Sequence, residues 1–191
     1  MVRLFRLLLG FLILVGASAA IGAPVPADQA IGLDLRRTTL VVRDMDASLR
    51  FYRDGLGMSV AYDRMIRTPR EARDDASAEK SLRLVLLRAN DDYIGMLGLM
   101  QYIKPVHPPR NARSDEMLNP GDIVLVFNTK QLQAKFEKIK ANSNAKVGEA
   151  PHPTSYPSYD GKGVINVMFS SFYDPDGHYV EVNEVLDEKL H

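Results

Sequence analysis

The stretch Phe172-Tyr173-Asp174-Pro175-Asp176-Gly177-His178-Tyr179-Val180-Glu181-Val182 carries the residues best placed to do chemistry. Asp-Pro-Asp-Gly is a tight-turn sequence, because proline presets one turn dihedral and glycine supplies the unusual one. The run after it alternates, with Tyr179, Glu181 and Asn183 on one face and Val180 and Val182 on the other. A strand with one apolar face packs that face on a helix. The Glu181 carboxylate then points away from the core, toward a metal ion or a substrate.

Composition narrows the classes. The chain has 191 residues, with 24 basic against 24 acidic side chains, so neither nucleic acid nor an anionic membrane surface has an electrostatic claim on it. It has no cysteine, which excludes disulfides, thiolate metal sites and a cysteine nucleophile. No phosphate-binding glycine loop or Gly-x-Ser-x-Gly elbow occurs.

At the N-terminus, Arg3 and Arg6 precede an apolar run from Leu7 to Gly16, and Ala17, Ser18, Ala19 and Ala20 follow. This is the layout of a secretory signal peptide over 1–20, cleaved after Ala19 or Ala20. The run is short against the ~20 residues that span a bilayer, so no stable membrane span is expected after cleavage. The expected product is exported, periplasmic or secreted. Residues 21–32 read as its flexible N-terminus.

The elements that must position Glu181 come from periodicity. Leu35 to Val42 reads as a strand. Asp44 is a helix cap, and Met45, Leu49, Tyr52 and Leu56 follow at helical spacing. Further strands are expected at Met58–Tyr62, Leu82–Leu87 and Tyr93–Tyr102, with Arg64–Lys80 as a mobile charged loop. After a proline-rich linker the order restarts: a strand at Asp122–Phe127, a helix carrying Leu132, Phe136 and Ile139, a weak strand near Ala145–Val147, a loop at Gly148–Lys162, and strands at Val164–Tyr173 and His178–Val185. The two halves repeat, and an offset of 85 superimposes Arg37 on Asp122, Phe51 on Phe136 and Met96 on Glu181. The expected class is α+β, with tandem βαβββ modules at 33–103 and 119–187 in one domain spanning 33–187.

The stretch from Val42 to Met58, Val-Arg-Asp-Met-Asp-Ala-Ser-Leu-Arg-Phe-Tyr-Arg-Asp-Gly-Leu-Gly-Met, resembles the first module of the vicinal oxygen chelate superfamily. That group includes glyoxalase I, bleomycin-resistance proteins and extradiol dioxygenases. Asp174-Pro175-Asp176-Gly177 followed by Glu181 is similar to the superfamily's terminal signature. The resemblance implies two curved sheets around a shared cavity that takes a small-molecule ligand. It leaves a homodimer open, because members pair their modules within one chain or swap them between chains.

The resemblance also implies a site. Metal-dependent members hold one divalent ion with two residues near the starts of the modules' first strands and two on their last strands. The matching positions here are Arg37, Asp122, Met96 and Glu181. Glu181 fits that pattern, Asp122 is an oxygen donor of an unusual kind, Met96 is soft and weak, and Arg37 has no lone pair to give. Glu181 and Asp122 are thus the catalytic candidates, and the metal ligands only if a metal binds; the set is incomplete and leaves the cofactor unknown. The four histidines, His107, His152, His178 and His191, lie in loops, beside the turn or at the C-terminus and do not complete it. A charge cluster in the metal's place is expected instead, with the Arg37 guanidinium between the two carboxylates. Thr39, Tyr179 and Asn183 join Arg37 and Met96 as ligand-binding candidates by strand alternation, with Gly98 and Met100 on the same face. Tyr156 and Tyr159 are placed to close over the cavity. Two activities stay open: a glyoxalase-like or dioxygenase-like enzyme acting on a small carbonyl or aromatic compound, and a metal-free sequestering protein of the bleomycin-resistance type.

Overall fold

A computed structural model of the chain describes residues 25–106, 108, 118–158 and 161–187. The expected signal segment, His107, Tyr159 and His191 lie outside them. The first module runs β1 (Arg37–Val41), α1 (Met45–Leu49), β2 (Ser59–Thr68), β3 (Lys80–Arg88) and β4 (Met96–Lys104). The second runs β5 (Val124–Asn128), α2 (Leu132–Asn142), β6 (Lys146–Pro157), β7 (Val164–Tyr173) and β8 (Tyr179–Val185). Each module is one four-stranded mixed sheet, ordered β1-β4-β3-β2 and β5-β8-β7-β6, with the first and last strands parallel. This is the tandem βαβββ architecture expected.

Local chemistry sets the helices. The Asp44 carboxylate caps α1 by accepting from the backbone N–H groups of Asp46 and Ala47. The helix then widens into π-helical turns over Arg50–Gly55, closed by the Leu56 N–H on the Phe51 carbonyl. That widening lets adjacent Phe51 and Tyr52 both be fully buried. Helix α2 has no cap from its own Gln131; Glu184 of β8 accepts from the Leu132 N–H instead, at 2.9 Å.

The two modules share one core. Leu40, Val42, Val85, Leu87, Leu97 and Leu99 of the first sheet and Phe172, Val180 and Val182 of the second pack on the same helix layer. Within that layer a Cβ on Gly55 would stand 2.8 Å from Ile139 Cγ1, so the helices approach to glycine distance. Each sheet therefore turns one face to the helices and the other away. The two sheets do not close on each other within the chain.

Three segments differ from expectation. Strand β2 continues through Thr68, because Asp63 and Arg83 pair across β2 and β3 at 2.7 Å and carry the charged stretch into the sheet. The rest of that stretch is tied down: Arg67 pairs with Asp75 at 2.8 Å, and Lys104 Nζ donates to the Ala76 and Ala78 carbonyls. Strand β6 runs to Pro157 despite Pro151 and Pro153, which its edge position tolerates.

Candidate functional site

Strand alternation puts Tyr179, Glu181 and Asn183 on the face of β8 turned from the core, while Val180 and Val182 are fully buried on the other. Glu181 sits between Val126 of β5 and Ser171 of β7. Asn183 Nδ2 donates to Glu181 Oε2 at 3.4 Å, and this contact orients the amide. Asn183 Oδ1 is then left buried with no hydrogen-bond partner. Tyr179 packs edge-on against Tyr173 with ring centroids 5.3 Å apart. Burial pushes the Tyr179 phenol up, and the Glu181, Glu149 and Tyr173 charges add to this against an opposing Ser171 hydroxyl. That hydroxyl makes no hydrogen bond of good geometry and is itself fully buried. The Tyr156 phenol is raised in the same way, by burial and then by Glu181, Tyr179 and Glu149. Tyr156 therefore belongs to this face, although it lies on β6 and not in a loop.

The first module's open face is different. Arg37 is exposed beside buried Met96, and Thr39 lies beside Gly98. A Cβ on Gly98 would come within 2.6 Å of Thr39 Oγ1, so the glycine gives Thr39 its place. Leu82, Leu84, Leu86 and Met100 complete an apolar floor on this face.

Thr39, Met96, Tyr179, Glu181 and Asn183 thus have the facing expected of them, in two separate groups. Asp122 does not join Glu181. It precedes β5 in an exposed turn, where its carboxylate accepts from the Asn119 N–H at 2.7 Å and its own N–H bonds the Asn119 carbonyl. Arg37 stands on the other sheet, so the expected cluster of its guanidinium between the two carboxylates is not formed among the described residues. The helix positions correspond at an offset of 87, Leu49 to Phe136, and not at 85. The strand neighbour of Glu181 is consequently Val126, which cannot ligate a metal. Among the described residues no three His, Asp or Glu side chains converge in a way that could hold one. The residues present do not fit the divalent ion that the resemblance implies.

The Asp-Pro-Asp-Gly turn does something that its sequence did not reveal. Asp174, 4% exposed, accepts from Tyr52 Oη at 2.8 Å, from the Asp176 and His178 N–H groups at 2.9 and 2.8 Å, and lies 3.0 Å from His178 Nδ1. Asp176 accepts from the Arg43 backbone and side chain at 3.0 and 2.8 Å. The turn of the second module is thereby latched onto the helix of the first. Burial pushes the Asp174 carboxyl up, but His178, the backbone N–H and Tyr52 together outweigh it and hold the group below the usual carboxylate range. Its folded value is depressed, so the stability it contributes is present above the ordinary aspartate value of about 4 and is lost as pH falls toward the folded value. Chemical denaturation at stepped pH is expected to show a loss of stability below about pH 4 that Asp174→Asn largely removes.

Two concavities, of about 330 and 570 Å³, lie beside this turn and along β2; neither is lined by Glu181. On the Glu181 face of the second sheet Ile165, Val167 and Phe169 are buried in a second, smaller apolar cluster with Val185 packed against it.

Comparison with known proteins agrees with this architecture. Residues 34–182 match the family model of the Glyoxalase/Bleomycin resistance protein/Dioxygenase superfamily. A glyoxalase family protein from Bacillus cereus is similar in structure, with a TM-score of 0.61 at 12% identity over 81% of this chain and 95% of that one. A glyoxalase I variant from Zea mays gives a TM-score of 0.52 at 19% identity, over 78% of this chain and 45% of that one. No curated protein matches the chain. The matched span takes in both modules and both signature stretches, and the chain belongs to the Glyoxalase/Bleomycin resistance protein/Dioxygenase superfamily.

Proposed function

We propose that the protein is an exported, metal-independent binder of a small molecule with an aromatic or apolar body, held on the face of the second sheet around Glu181. The observation that carries this reading is the pairing of Glu181 with Val126, which leaves one carboxylate where a chelate needs several donors. A glyoxalase-like lyase acting on a carbonyl compound would need a second group near Glu181, and Asp122 is held elsewhere by Asn119. The tyrosines of the face supply flat contact area. Indole is a suitable neutral probe. In an amide NMR titration it is expected to shift β7 and β8 resonances around Ser171 and Glu181; shifts confined to other elements, or none, would count against the site.

Two further parts of the reading concern the setting. Export is supported by the basic, apolar and small-residue order of 1–20, and no helix of the described residues is long and apolar enough to cross a membrane. Mature protein recovered from the exporting cell should begin at Ala20 or Ile21; an intact Met1 would oppose it. A homodimer is supported by the first module's open face, where Val41, Tyr62 and Ile66 are exposed and β1 has a strand on one side only. Light scattering should give twice the chain mass.

A further inference from the structure

We infer that the ligand of the Glu181 face is an organic cation bearing N–H donors, a protonated amine or amidinium on an aromatic or apolar body. This rests on the binding reading above and narrows it. Two acceptors on the face have little or no donor of good geometry. Among the described residues Glu181 receives the 3.4 Å contact from Asn183 alone, and Asn183 Oδ1, on a side chain only 9% exposed, receives none. The amide cannot be turned to cure this, because exchanging its ends would set an oxygen against the Glu181 carboxylate. A buried acceptor without a donor is costly, and a ligand N–H removes that cost.

Charge and aromatic surface point the same way. Glu149 and Glu181 both act on Tyr156 and Tyr179, so the two carboxylates and the two phenols lie within one field. His152 is 3.6 Å from Glu149. Lys146 Nζ stands over the Tyr173 ring at 5.5 Å, within cation–π distance. An ammonium group placed between Glu181 and Asn183 Oδ1 would satisfy both acceptors and lay its body against Tyr179. An anion would meet the repulsion of Glu181 and Glu149.

Benzylamine, benzyltrimethylammonium, benzoate and indole separate the possibilities by NMR titration of the full mature chain. Benzylamine is expected to bind most tightly, benzyltrimethylammonium several-fold more weakly for want of N–H donors, and benzoate not measurably. Glu181→Gln is expected to weaken benzylamine about ten- to a hundredfold and indole by much less, since indole brings no charge. Added salt should weaken benzylamine and not indole, a readout that needs no variant. Benzoate binding as tightly as benzylamine, or benzylamine binding that ignores both Glu181→Gln and salt, would overturn the inference. Indole binding with no advantage for benzylamine would overturn the cation and leave the binding reading standing; failure of all four probes would remove both.

Discussion

Asp174→Ala is expected to cost about 3–5 kcal/mol of stability, the range for breaking a buried charged network. The side chain is fully buried and gathers Tyr52 Oη, two backbone N–H groups and His178 around it. Alanine would strand each of those donors, and a buried donor left unmade costs more than a bond contributes. Tyr52→Phe removes one donor and leaves the carboxylate its others, so it should cost less, about 1.5–3 kcal/mol. Urea denaturation of the two variants checks both the size and the order. An Asp174→Ala protein within 1 kcal/mol of wild type would show that the turn does not latch the modules.

Phe51→Ala is expected to destabilise by a similar amount, about 3–5 kcal/mol. Its ring is fully buried and packs edge-on against Tyr52 at 4.8 Å and Phe172 at 5.9 Å, so it belongs to both modules at once. The form of the transition matters as much as its midpoint. A core shared through the helix layer should unfold once, with probes on the first and second sheets coincident in wild type and variant. Two separated transitions would mean that each module holds itself together and that the Phe51–Phe172 contact is incidental.

Much of this fold is legible in local pattern. The alternation after Gly177 places Glu181 and Asn183 on the face turned from the helices, and helical spacing identifies Met45, Leu49, Tyr52, Phe136 and Ile139 as core. The error over Asp122 has a physical origin. Strand alternation has a period of two, so a shift of two residues keeps every side chain on its face and leaves no trace in the pattern. The helix period carries no such ambiguity, and Leu49 with Phe136 gives the offset of 87 that the strands conceal. Strand β6 was masked by its prolines, which argue against a strand unless its edge position is known. The bond from Tyr52 to Asp174 spans 122 residues, and no local signal announces it. The unmatched Asn183 oxygen is equally invisible, since it depends on which neighbours the sheet supplies.

The chemistry assigned to this face depends on Glu181 not belonging, among the described residues, to a converging group of donors able to hold a metal. Elemental mass spectrometry of the mature protein tests this directly, after purification without chelators or metal-binding tags and after incubation with zinc, nickel, manganese and iron. The account predicts no stoichiometric divalent ion in wild type and no difference in Glu181→Ala. One ion per chain, lost in Glu181→Ala, would contradict it and make this face a metal centre.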